Sequence, residues 1–154
     1  MPTYDQSSIS KLEKVLAQIP LAHAMQVRIV QYEAGCLRLT APGKPNSNHF
    51  GIAFGGAIQC LGTLAGWGLL WLELGDPALR IVIRHTETHF RQPLSGELDA
   101  VVNRPETTRW DGFLKRLERR GQARLDLTAQ IGDAQNTEGA RFHGRYAIAR
   151  NPAG

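Results

Sequence analysis

Cysteine is scarce in this sequence: Cys36 and Cys60 are the only two among 154 residues. No paired-cysteine spacing of a metal site exists. One thiol falls in a strand pattern and the other in an apolar helix pattern, so buried thiols in a reducing cytosol are expected. Charge of one sign is not concentrated either. Charged residues make up 21%, the net charge is +4, and the charges are dispersed, which argues against wholesale disorder. No nucleic-acid-binding motif accompanies the mild basicity, and no nucleic-acid partner is expected. The closest thing to a basic block is Lys115, Arg116, Arg119 and Arg120. A solvated helix face is the simple account, and a patch for phosphates or an acidic partner is the functional one. The opening MPTYDQSSIS is polar, so no signal peptide is expected and the cytoplasm is the expected compartment.

What is present suffices for one core. Hydrophobic residues reach 42%, and the length fits one domain better than two. Residues 1–9 read as a flexible tail and 10–150 as a single domain. Ser10 and Glu13 form a capping box, after which Leu12, Val15, Leu16 and Ile19 recur at helical spacing until Pro20 stops the helix. Met25–Tyr32 and Cys36–Ala41 read as strands joined around Glu33, Ala34 and Gly35, and residues 42–51 as a loop.

Residues 55–74, GGAIQCLGTLAGWGLLWLEL, carry no charge before Glu73 and end at a natural helix stop, Gly75. A membrane span of about 20 residues is the rival reading. Gln59, Thr63 and three interior glycines, Gly62, Gly66 and Gly68, argue against it. Each glycine weakens an isolated helix by about 1 kcal/mol, which makes sense where another backbone approaches closely. A helix apolar all round is one wrapped by protein, so no membrane partner is expected.

Four strands follow. Ile81–Arg91 is long, and Glu97–Asn103 comes after a turn at Pro93–Gly96, which predicts that the two form a hairpin. Residues 109–120 read as a short helix turning Phe113, Leu114 and Leu117 inward. Ala123–Ile131 and Glu138–Ala149 alternate with period two around a turn at Gly132–Asn136, the pattern of antiparallel strands with one buried face. The class is therefore α+β: an antiparallel sheet curled around one long apolar helix, with short flanking helices. Parallel α/β architecture is disfavoured because helices and strands do not alternate.

Chemistry points to NHFGIAFGG, residues 48–56. A helix start carries unpaired amides and partial positive charge. Gly55 and Gly56 would let a ligand carbonyl reach those amides, where a developing oxyanion is stabilised. Asn48 could orient a water or donate to that carbonyl. The plain alternative is a glycine-rich turn packed on a sheet, with Asn48 as a turn residue.

This stretch resembles the loop-to-helix signature of PaaI-like hotdog thioesterases: an Asn, a Gly three residues on, then a Gly-Gly pair opening the central helix. Residues 54–74 look more closely like the thioesterase domain at the C-terminus of YiiD-like acetyltransferases. Residues 81–98 are similar to that family's long strand ending in an aromatic, two residues and a Pro. The resemblance runs from about residue 10 to 150. No acetyltransferase domain precedes it here, which predicts the stand-alone form. It implies the hotdog fold and a homodimer, or a dimer of dimers, with the site between one subunit's helix start and the other's helix. It also implies hydrolysis of an acyl thioester of coenzyme A or of an acyl carrier protein, with no cofactor. Carried over residue by residue, Asn48 holds water or carbonyl and Gly56 supplies the oxyanion amide.

One departure stands out. Many PaaI-like enzymes place an Asp or Glu seven residues after the second glycine. Here that residue is Thr63, as in the YiiD-like relatives, and a neutral hydroxyl is a poor general base. Thr63 could position water, or simply bond back to a helix carbonyl. A non-catalytic acyl-thioester binder is thus the second reading. A dehydratase or hydratase is a third, with His49 beside the helix start but no acidic partner on the helix. Phe54 and Trp67 read as core or acyl-pocket wall, Gly55 as part of the binding surface, and Arg91 as a contact for phosphates or a plain surface residue. His85, Glu87 and His89 share one strand face. A polar strip is simpler than a metal site there, because side chains two apart on one strand rarely close a ligand shell, and no metal is expected.

Overall fold

The computed structural model describes residues 6–151. The elements are α1 (Gln6–Gln18), α2 (Pro20–Met25), β1 (Arg28–Glu33), β2 (Cys36–Ala41), α3 (Gly55–Leu74), β3 (Leu79–Phe90), β4 (Leu98–Asn103), α4 (Thr107–Arg120), β5 (Gln122–Gly132) and β6 (Ala140–Arg150). The strands form one six-stranded sheet in the order β1-β2-β4-β5-β6-β3, antiparallel at every pairing. It wraps the 20-residue α3 in the hotdog arrangement, with α3 packed on β2 through β6. The period-two pattern sets which strand residues face α3: Leu125, Leu127, Ala129 and Ile131 of β5 and Phe142, Tyr146 and Ile148 of β6 are buried. α3 is long and apolar enough to cross a membrane, but 61% of its apolar window is buried in the protein.

The glycines of α3 are what let the sheet close on it, and the partners are side chains rather than the expected second backbone. A Cβ on Gly62 would lie 2.5 Å from the ring of Phe142, and one on Gly66 2.3 Å from the Tyr146 hydroxyl. The Tyr146 hydroxyl donates to the Thr63 carbonyl at 2.8 Å and meets the Trp67 backbone amide. Burial raises its pKa far above the usual tyrosine range. Two β6 rings therefore lie flush against the helix backbone.

Three local expectations are corrected. Helix α1 spans Gln6–Gln18, so residues 6–9 of the expected tail are helical and Ser10 and Glu13 lie inside the helix. Leu12 and Leu16 are the residues that α1 buries, and the helix packs on α3 and β1. Residues 1–5 of that tail lie outside the described residues. Pro20 ends α1 as expected but also opens α2, at the first-turn position where its missing N–H is not needed. Met25, expected to begin a strand, closes α2 and is buried; the strand starts at Arg28.

The hairpin of the third and fourth strands does not form. β3 pairs with β6 at one edge of the sheet, while β4 lies between β2 and β5. The linking segment crosses the β5–β6 turn instead of reversing. The Arg91 and Gln92 amides donate to the Gly139 carbonyl, and the Ser95 amide to Asp133 Oδ2. Leu94 is 1% exposed, and a Cβ on Gly139 would meet it at 2.2 Å. A buried leucine and three amide bonds to the facing turn outweigh the local turn chemistry of Pro93 and Gly96. The turn between β1 and β2 does follow the sequence, with Ala34 at φ 50° and Gly35 at φ 74°.

Two stability predictions follow from this packing. Gly66→Ala forces a methyl group into a ring tied by its hydroxyl. It should destabilise the fold by about 1–3 kcal/mol, read as a lower urea midpoint; an unchanged midpoint would refute the contact. Asp133 accepts from the backbone amides of Ser95, Gln135 and Asn136. These bonds, Ser95's foremost, hold its carboxyl below the usual range. A carboxyl with a depressed folded pKa binds protons more weakly when folded. Its stabilisation is complete above the unfolded pKa of about 4 and is lost as pH falls through the folded value. The stability gap between wild type and Asp133→Ala should therefore be full at neutral pH and shrink below about pH 4. A gap that stays constant in acid would contradict this.

Candidate active site at the start of the central helix

The chain is tied down just before the α3 start. Asn48 organises the preceding loop: its Oδ1 accepts the amides of Phe50 (2.9 Å) and Ile52 (3.3 Å), and its own amide donates to Ile52 O (2.7 Å). Gly51 completes the loop at φ 82°. The Ala53 amide donates to Leu94 O and the Phe54 amide to Asn46 O, each at 2.8 Å. Asn46 in turn donates through Nδ2 to Met25 O and Pro42 O, while its buried Oδ1 has no partner among the described residues. One buried asparagine thus couples α2, the loop and the helix start. Its role was not legible in the sequence, where it is one polar residue in a polar loop.

The N-cap of α3 is Phe54, whose side chain cannot accept a hydrogen bond. The amides of Ala57 and Ile58 turn back to the Phe54 carbonyl. The amides of Gly55 and Gly56 have no acceptor among the described residues, at the positive end of a 20-residue helix. Gly56 is exposed and Gly55 half-buried, so neither is sealed. Two exposed rings flank them, Phe54 at 58% and Phe90 at 56%, and Phe50 in the preceding loop is exposed at 77%. A Cβ on Gly55 would touch the Phe90 ring at 3.5 Å, and one on Gly56 would meet the Phe54 ring at 2.6 Å. The second glycine lets Phe54 lie over the first turn. Phe54 is thus exposed and not core. Phe90 was legible only as the aromatic ending the long strand, and Phe50 carried no signal.

Gly56, Gln59, Cys60, Thr63 and Trp67 follow one another down the face of α3 that the sheet leaves partly uncovered. Thr63 Oγ1 donates to Gln59 O at 3.0 Å, the back-bonding role weighed from sequence. Gln59 Oε1 accepts from Thr88 of β3, and Trp67 Nε1 donates to Ile81 O, which fastens edge strand to helix. Burial raises the Cys60 pKa, which disfavours a nucleophilic thiolate. Seven residues separate Gly56 from Thr63, or about 10 Å along the axis, so one chain does not bring them onto one carbonyl. Glu73 is the carboxylate of α3, held near its far end by Tyr32 (2.6 Å) and Arg104 (3.1 Å).

The remaining candidates are engaged with other side chains. His49 is exposed and stacks on Phe50, ring centroids 3.9 Å apart. Arg91 pairs with Glu138 at 3.3 Å, a carboxylate it shares with Arg141. Arg141 holds the Glu138 pKa low. His85, Glu87 and His89 do share one exposed strand face, with His89 3.6 Å from Glu87. No group of three metal-ligating side chains converges among the described residues.

Comparison with known proteins agrees with this architecture. Residues 9–150 match the family described as "putative thioesterase (yiiD_Cterm)". A protein of unknown function from Chlorobaculum tepidum TLS is 29% identical with a TM-score of 0.89, over 97% of this chain and 98% of that one. A "putative thioesterase" from Shewanella oneidensis is 26% identical with a TM-score of 0.83, over 96% of this chain and 100% of that one. A "probable thioesterase" from Pseudomonas aeruginosa is 25% identical with a TM-score of 0.79, over 98% and 99%. With a hotdog sheet around a glycine-opened helix and a match over nearly its whole length, the chain belongs to the YiiD C-terminal thioesterase family.

Proposed function

We propose that the chain binds an acyl thioester with the carbonyl oxygen on the amides of Gly55 and Gly56, and hydrolyses it. The observation that carries this is the pair of unpaired amides at the start of α3 among exposed aromatic rings. Water adds to the carbonyl carbon, the oxygen takes up negative charge at the amides, and the carbon–sulfur bond breaks to give acid and thiol. Asn48 acts through Nδ2, because its Oδ1 is engaged by the loop. Phe50, Phe54 and Phe90 supply apolar surface for the acyl or thiol arm. The thiol carrier is coenzyme A or an acyl carrier protein.

Thr63 reaches this carbonyl only from a second copy, given the axial offset within one chain. β3 is a 12-residue edge strand open to such pairing. A homodimer is therefore part of the proposal, with a dimer of dimers as its extension. A second reading, acyl-thioester binding without turnover, is favoured by one observation: α3 carries no ionisable carboxylate or imidazole before Glu73. Water activation then falls to neutral groups.

Thiol release across short, medium, long and aromatic acyl-coenzyme A substrates tests the reaction. Asn48→Asp keeps the loop acceptor and loses the donor. It should lower kcat by about 100-fold or more with the fold retained, as for loss of one oxyanion donor. An unchanged rate removes Asn48 from the chemistry. Calorimetric binding with no thiol released over the whole panel selects the binder. Thr63→Val should slow turnover without changing the melting temperature; equal rates would leave Thr63 a helix residue only.

A further inference from the structure

Four arginines, Arg84, Arg116, Arg120 and Arg124, line one cavity of about 350 Å³ in which no carboxylate takes part. Its floor is small: Ala123, Ala147 and Ala149. A neighbouring cavity of about 400 Å³ shares Arg116 and Arg124 and adds Arg109 and Arg145. The one carboxylate there, Asp126, is engaged by Arg145 at 2.8 Å. Arg84, Arg109, Arg116, Arg120 and Arg124 form no ion pair among the described residues. Such crowding of like charge opposes the compact state unless a counter-charge arrives.

Helix α4 arranges the cluster. Arg109, Arg116 and Arg120 fall at helical spacings of seven and four on one flank, while Asp111 and Glu118 project from the other. Gly112 lies on the arginine flank and lines the larger cavity. Its φ is not positive, and a Cβ there would meet nothing within 4 Å. Neither backbone conformation nor internal packing calls for glycine, and alanine would favour the helix. Bare backbone at this position admits a ligand close to α4. The charged lining is arginine without lysine, the side chain whose planar fork pairs with phosphate oxygens two at a time.

We propose that this alanine-floored trench between α4, β5, β6 and β3 binds a small molecule carrying two or more linked phosphoryl groups. The cavities, about 350 and 400 Å³, fall within the range of small-molecule pockets, roughly 300–1,000 Å³. The inference does not depend on the thioester chemistry at the α3 start. Two sources share the chemistry: a free nucleotide diphosphate, or the nucleotide end of a coenzyme A thioester.

Calorimetry on the full chain with pyrophosphate, ADP, coenzyme A and inorganic phosphate tests it. Pyrophosphate and ADP should bind at one site per chain, more tightly than inorganic phosphate. Binding should weaken about tenfold or more in Arg116→Gln/Arg124→Gln. Gly112→Ala should weaken it while holding or raising the melting temperature, a combination that misfolding cannot produce. Arg119→Gln, off the trench, should bind as wild type does. Coenzyme A binding more tightly than ADP, with the same variants impaired, identifies the substrate's nucleotide end; equal binding identifies a free nucleotide. Wild-type affinity in both Gly112→Ala and the double arginine variant overturns the proposal. So does preference for duplex DNA that pyrophosphate cannot displace.

Discussion

The fold depends on how closely two aromatic rings of β6 approach the backbone of α3. Phe142 and Tyr146 rest where Gly62 and Gly66 carry no side chain, and the Tyr146 hydroxyl bonds to the helix carbonyl of Thr63. Each interior glycine costs the helix about 1 kcal/mol in propensity. Burying one leucine returns about 1.5–3 kcal/mol, and Leu61, Leu69 and Leu70 are all essentially inaccessible. Packing, not propensity, therefore holds this helix. One consequence reaches the site: the helix is fixed by its sheath along its length, so its first turn need not be held by a cap.

That freedom is visible at Phe54. A Ser, Thr or Asp there would satisfy an orphan amide and contribute about 1 kcal/mol. A phenylalanine leaves the Gly55 and Gly56 amides open and lays a ring across the first turn instead. The chain leading into the helix is anchored by bonds to Leu94 and Asn46, residues outside the helix. The start of α3 is thus rigid and unsatisfied at once, which is what a preorganised anion-stabilising surface requires. A local rule broken inside an otherwise consistent structure is where function is to be sought.

The architecture was legible where periodicity was strong. The alternation in β5 and β6 and the uncharged run of α3 each led to the observed element, because burial on one face or on all faces leaves a direct imprint on sequence. The β3–β4 hairpin misled because Pro93 and Gly96 announce a turn, while the deciding contacts, Leu94 against Gly139 and Ser95 on Asp133, lie some 40 residues away along the chain. The same limit applies at the site. Gly55, Gly56 and Asn48 could be read locally, since helix starts and Asx turns are local devices. The coupling role of Asn46 could not, because its partners are the carbonyls of Met25 and Pro42 and the amide of Phe54.

Thr63 brings these threads together. Its carbonyl receives Tyr146 and its hydroxyl is spent on Gln59, so within one chain it is a structural residue of the sheathed helix. It also stands on the uncovered face, two turns from the open amides. A hydroxyl already donating to a carbonyl still has lone pairs to accept with, so it can orient a water but cannot draw off its proton as a carboxylate would. Any acceleration at this site must then come mainly from stabilising the oxyanion. That stabilisation rests on amides left free because packing alone holds the helix.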